Sequence, residues 1–180
     1  MLLTLPNVLT LSRVAVIPLF VGLFFLESSS GQWIACAVFT LAGITDFFDG
    51  YLARSRGQLS AFGTFLDPVA DKLLVASALL MMVGFGQIAD LAIIPAVIIL
   101  CREIMVSGLR EFLAGLSISL PVSKLAKWKT TAQILALGFL MGAPGFPGFP
   151  FAHEIGLILL WIAATLTVQT GSGYVRGALG

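Results

Sequence analysis

The sequence predicts an all-α integral membrane protein with six transmembrane helices and both termini cytoplasmic, forming a single domain over residues 1–180. Three observations predict it. Hydrophobic residues make up 58% of the chain and charged residues only 11%, where a soluble domain carries about 25% charge. That balance excludes an ordinary soluble domain, a coiled coil and a disordered chain. Apolar stretches of spanning length recur six times, and at about 20 residues per span they leave no room for a sizeable soluble domain. Finally, the ten Lys and Arg residues all fall towards one side of six alternating spans, which the positive-inside rule makes the cytoplasmic side.

The first span runs from about Leu5 to Leu26, carries Arg13 near its start, and ends in the turn-forming run Ser28-Ser29-Ser30-Gly31. The second, Trp33 to Arg54, closes on Arg54 and Arg56. The third, Asp67 to Gln87, has Lys72 near its start and the Gly84 to Gln87 turn at its end. Pro68 either lies in its first turn, with Asp67 as N-cap, or kinks a longer helix. The fourth, Ala89 to Leu113, holds Arg102 and Arg110 in its second half. Lys124, Lys127 and Lys129 precede or open the fifth, Trp128 to Ala143, and the Pro and Gly run from Pro144 to Pro150 follows it. The sixth, Glu154 to Tyr174, closes on Arg176.

Smaller features read simply. Cys36 and Cys101 are too few and too far apart for a disulfide framework or a metal cluster. His153 reads as a surface residue on an outer connection. Gly138-x3-Gly142 permits close helix packing and a homodimer contact. Membrane lipids are the expected surroundings, and no nucleic-acid partner is expected.

Four of the nine acidic residues, Asp46, Asp49, Asp67 and Asp71, lie in one window. Asp46, Asp49, Gly50 and Ala53 are spaced i, i+3, i+4 and i+7, one helical stripe with two carboxylates beside two small residues. Asp46 precedes Arg54 by about 12 Å of helix, which puts the carboxylates within the cytoplasmic part of the bilayer. Gly63, Asp67 and Asp71 repeat the pattern at i, i+4 and i+8 on the next segment. An intramembrane Asp costs about 2.5 to 3.5 kcal/mol on insertion scales, and four together also repel one another. Each could pair with Arg54, Arg56 or Lys72, the plain structural reading of an isolated Asp. Four carboxylates with no nearby imidazole or thiolate instead suit a hard cation held through oxygen, Mg²⁺ or Mn²⁺ before Ca²⁺ and Zn²⁺ last. Magnesium leaves positions that substrate phosphates fill, so the constellation points to phosphoryl chemistry at the membrane surface. The small residues leave space for a base or a pyrophosphate to approach the backbone.

The segment Asp46-Phe47-Phe48-Asp49-Gly50-Tyr51-Leu52-Ala53-Arg54, followed at fixed spacing by Gly63, Asp67 and Asp71, resembles the signature of the CDP-alcohol phosphotransferases, D-x2-D-G-x2-A-R-x8-G-x3-D-x3-D. The resemblance implies a six-helix membrane enzyme with a dinuclear metal site open to the cytoplasm. It also implies that Asp46, Asp49, Asp67 and Asp71 hold the metals, that Asp71 is the general base, and that Gly50, Ala53, Arg54 and Gly63 contact the CDP moiety. Spacing alone leaves open which Asp is the base.

Asn7-x2-Thr10-x2-Arg13, the segment from Arg102 to Glu111, and Lys127-x-Lys129-Thr130-x2-Gln133 look like the phosphatidylglycerophosphate synthase branch of that family. This likeness implies CDP-diacylglycerol and sn-glycerol 3-phosphate as substrates and the bacterial cytoplasmic membrane as location. A dianionic acceptor phosphate requires cationic donors. Arg110, Lys127 and Arg176 are the first choices, with Lys124, Lys129 and Arg102 behind them. Arg110 shares a helical stripe with Ser107 and Glu103. Topology-setting or headgroup contact is the plainer reading of the lysines, and snorkelling that of Arg13 and Arg176. Other acceptor alcohols remain within the same chemistry. A cation transporter would need charges on several spans at mid-bilayer and repeated halves, whereas these carboxylates cluster in one window.

Overall fold

The computed structural model describes the backbone of residues 5–26, 29–56, 61–115, 124–145 and 148–179, and the side chains of residues 11–26, 30–45, 66, 68–115, 125–145 and 148–172. Six long helices follow in order: α1 Leu5–Phe24, α2 Ser29–Arg56, α3 Ala61–Gly84, α4 Ile93–Gly115, α5 Lys124–Gly142 and α6 Ala152–Leu179. Short 3₁₀ turns at Asp90–Ala92 and Ala143–Gly145 precede α4 and follow α5. Among the described residues there is no strand. All six expected helices are present and the fold is all-α.

Their ends depart from the sequence reading in several places, among them an α5 that begins at Lys124 and an α6 that runs on to Leu179. α3 begins at Ala61 and runs through Pro68, so Asp67 lies inside the helix and does not cap it. Asp90 takes φ +50, a left-handed conformation that Asp tolerates better than most residues. The Asp90–Ala92 turn therefore delays α4 until Ile93. α2 starts at Ser29, upstream of Trp33.

The chain forms two compact units, Met1–Met81 and Met82–Gly180. In the first, α1 packs on α2. Phe20, Phe24, Ala35 and Phe39 are buried, and the Phe20 ring meets Phe24 edge-on at 5.2 Å and Phe39 at 6.2 Å. Ala70, Leu74, Ala78 and Leu79 form the buried stripe of α3 at helical spacing.

In the second unit, α6 packs against both α4 and α5. A Cβ placed on Gly156 of α6 would lie 2.7 Å from Leu140 Cγ and 3.0 Å from the Leu140 backbone nitrogen on α5. Glycine is therefore what lets these helices approach. Gly138, the expected packing glycine, has nothing within 4 Å of such a Cβ. Gly156→Ala is expected to cost about 1–3 kcal/mol through overpacking, read by thermal or denaturant unfolding in detergent. Gly138→Ala should cost nothing, and equal behaviour of the two variants would refute this account of the contact.

His153 is half-buried in the first turn of α6, and its Nε2 lies 2.8 Å from the Gln87 carbonyl. A carbonyl only accepts, so this nitrogen carries the proton. The residue ties α6 to the loop after α3 and is not the plain surface side chain expected.

Among the described residues, Asp90–Gly115 and Ala152–Ser172 are long and apolar enough to cross a bilayer, while Leu11–Phe24 and Ser30–Thr45 are shorter apolar helical stretches. Leu80, Leu91, Phe112, Trp128 and Phe151 are 66–73% exposed. Apolar surface of this extent suits lipid better than water.

Candidate active site

Asp46, Asp49, Gly50, Ala53 and Arg54 lie on α2, one to two turns apart, and Gly63, Asp67 and Asp71 lie on α3. The α2 run follows the apolar stretch Ser30–Thr45, so it opens where the helix turns polar. The side chains of Asp46, Asp49, Ala53, Arg54 and Asp67, with residues Gly50 and Gly63, fall outside those whose surroundings are described.

Asp71 is described. Its carboxylate is 46% exposed, and Arg13 Nη1 donates to Oδ1 at 3.2 Å from a guanidinium only 3% exposed. Arg13 occupies the same buried stripe of α1 as Phe20 and Phe24, and a buried cation requires a counter-charge. It therefore does not snorkel; it spans from α1 to α3. Nearby, Lys72 Nζ donates to the Pro68 carbonyl at 2.8 Å.

The donor set is oxygen only. No His or Cys occurs between Asp46 and Asp71, and two pairs of carboxylates, one turn apart on each of two helices, provide the hard ligands that Mg²⁺ or Mn²⁺ takes. These residues fit a divalent cation.

The second unit carries a separate polar cluster. The buried stripe of α4 passes from Pro95, Ala96 and Ile99 through Arg102 and Glu103 to Val106. On α5 the apolar stripe Met141, Leu140, Leu137 and Ala136 continues into buried Gln133 and Lys129. On α6, Leu160, Ala163 and Ala164 give way to buried Thr167 and Thr170. Each helix thus becomes polar along its buried face, and the polar parts meet. Lys129 Nζ and Arg102 Nη1 both contact Glu103 Oε1, the latter at 3.3 Å. Arg102 Nη2 donates to Thr170 Oγ1 at 3.2 Å, and Gly171 leaves room for the Arg102 side chain, whose Cγ would sit 3.3 Å from a Cβ there. Gly156 meets Leu140 at one level and Lys129 is linked through Glu103 and Arg102 to Thr170 at the other, so α5 runs antiparallel to α6.

Of the cations chosen for an acceptor phosphate, Arg110 and Lys127 are exposed and form no ion pair with another described residue. The Arg176 side chain lies outside the described set, as does that of Lys124. Glu103 is not directed at Arg110: it pairs with Arg102 and Lys129, the cations ranked behind. The signal for this was present as the apolar stripes of α4 and α5, which continue straight through charged residues.

The sequence profile of the CDP-alcohol phosphatidyltransferases matches residues 3–169. The chain is 45% identical over 172 residues to a Rickettsia typhi protein named CDP-diacylglycerol--glycerol-3-phosphate 3-phosphatidyltransferase, covering 96% of this chain and 95% of that one. Proteins of the same name from Haemophilus influenzae and Cereibacter sphaeroides are 43% and 38% identical, across 98% of this chain and 94% and 96% of theirs. With its eight motif positions carried on α2 and α3 and a match running along almost its whole length, the chain belongs to the CDP-alcohol phosphatidyltransferase family.

Proposed function

We propose that the protein transfers the phosphatidyl group of CDP-diacylglycerol to sn-glycerol 3-phosphate, giving phosphatidylglycerophosphate and CMP. The observation that carries this reading is the complete eight-position motif, set in a chain similar end to end to proteins bearing that enzyme's name. The acceptor hydroxyl oxygen bonds to the phosphatidyl phosphorus, and the bond from that phosphorus to the bridging pyrophosphate oxygen breaks. CMP leaves with the electron pair, and the hydroxyl proton passes to the Asp71 carboxylate. Asp46, Asp49, Asp67 and Asp71 would hold two Mg²⁺ or Mn²⁺ ions, which when bound neutralise the pyrophosphate and the developing charge on CMP. Gly50, Ala53, Arg54 and Gly63 would contact the CDP moiety, the small residues leaving space for it to approach the backbone.

Arg110, Lys127 and Arg176 read the acceptor phosphate; the exposure of the first two leaves them available to a soluble substrate. The exposed apolar side chains of both units support placement in a bilayer. The one-sided Lys and Arg distribution supports cytoplasmic termini and a cytoplasm-facing site in a bacterial inner membrane.

The test is purified protein in detergent with CDP-diacylglycerol, Mg²⁺ and a panel of acceptors: glycerol 3-phosphate, glycerol, serine, inositol phosphate and phosphatidylglycerol. Lipid product and CMP are expected with glycerol 3-phosphate, and glycerol is expected to be a poor acceptor. Each charge-assisted hydrogen bond to the phosphate contributes about 1.5 to 3 kcal/mol. Arg110→Gln should therefore raise KM for glycerol 3-phosphate about tenfold or more while leaving that for CDP-diacylglycerol nearly unchanged. Efficient use of glycerol, or a defect confined to the nucleotide substrate, would overturn the acceptor assignment.

A further inference from the structure

We propose that Arg13 is a positioning residue for Asp71, holding that carboxylate in the orientation from which it takes the proton of the acceptor hydroxyl. The inference rests on the reading of Asp71 as the proton acceptor. Arg13 lies outside the eight-position motif, on a different helix, 58 residues from its partner. Its guanidinium is buried while the Asp71 side chain is 46% exposed. The pair therefore holds from the protein side a carboxylate that is half-exposed.

Fold stability gives a weak reason for an arginine here. Position 13 continues the stripe of Phe20 and Phe24, and an apolar side chain there would suit the packing of α1. Because the Asp71 side chain is half-exposed, removing Arg13 leaves no buried charge unpaired. Orientation gives a stronger one. A half-exposed Asp on a helix samples several rotamers, and a donor anchored in the buried face of α1 selects among them by holding Oδ1. Groups that orient a reacting or metal-holding side chain typically carry about 10- to 100-fold of activity.

The experiment compares Arg13→Met, Arg13→Lys and Asp71→Asn in the purified, full-length protein. For Arg13→Met, kcat is expected to fall about tenfold, with both KM values and the melting temperature nearly unchanged. Carbodiimide labelling of Asp71 in metal-free protein, read by mass spectrometry, should become faster as the carboxylate is released. Arg13→Lys keeps the charge but loses the planar fork, so it should recover part of kcat. In the Asp71→Asn background Arg13→Met should have no further effect. An unchanged kcat in Arg13→Met, or parallel loss of melting temperature and substrate binding in the Met and Lys variants, would overturn the proposal. If Arg13→Met does not fold, Arg13→Lys decides alone: reduced kcat at unchanged melting temperature supports the role, and full activity removes it. Near-normal turnover in Asp71→Asn would instead defeat the reading of Asp71 itself, whatever the Arg13 variants do.

Discussion

Asp49→Asn, Asp67→Asn and Asp71→Asn are each expected to lower turnover at least about 100-fold while leaving the protein folded in detergent. Losing a general base costs about 100- to 10,000-fold, and replacing one carboxylate of a hard-cation site by an amide removes a charge that no other donor supplies. Fold should survive in Asp49→Asn and Asp67→Asn because the described cores of α2 and α3 are built elsewhere, on Ala35, Phe39, Leu74 and Ala78. Asp71→Asn also removes the counter-charge of buried Arg13 and should lower the melting temperature without unfolding the protein. Turnover is read with glycerol 3-phosphate at saturating Mg²⁺, and folding by helical circular dichroism and melting. Near-normal activity in any two of the three variants would defeat the metal-site reading.

Glu103→Gln is expected to be the most destabilising of the single substitutions considered. Glu103 is the shared partner of Lys129 and Arg102, whose side chains are 6% and 11% exposed. With the carboxylate gone, two largely buried cations lose the counter-charge they share. Breaking a buried pair by removing one member costs about 3–5 kcal/mol. The consequence is a large drop in melting temperature, read in the same detergent as the parent. Glu111→Gln is the control. Glu111 is exposed near the end of the same helix, and surface changes of that kind stay within about 0.5 kcal/mol. Equal melting of the Glu103 and Glu111 variants would mean that the α4, α5 and α6 cluster is solvated.

The two expectations differ in how far the sequence anticipated them. The pattern of the aspartates was legible as two pairs, Asp46 with Asp49 on α2 and Asp67 with Asp71 on α3, because spacing within each helix is local information. Positions i, i+3 and i+7 share a face wherever the helix packs, and an intramembrane carboxylate is costly wherever it sits. Glu103 was read as the stripe partner of Arg110, and the structure pairs it elsewhere. Its stripe-mate Arg110 is seven residues away, but its actual partners include Lys129, 26 residues on and on another helix.

Six helices, their approximate limits and the acidic motif were determined by the sequence alone, because apolar run length, turn residues and helical periodicity act within one segment. Helix ends were less legible. Pro68 is compatible with either a start or an interior position, and α3 takes the interior one. The left-handed Asp90 delays α4. Only the tertiary structure decided which charges meet. Arg13 with Asp71 and Arg102 with Thr170 are 58 and 68 residues apart, and hydrophobic periodicity says which face of a helix is buried without saying which helix covers it. The reason is energetic. A charge on a buried face must find a counter-charge or a hydrogen-bonding partner, but which one it finds depends on which helices meet, α1 with α3 at Arg13 and Asp71 and α4, α5 and α6 around Glu103, the latter set by close approaches such as Gly156 against Leu140.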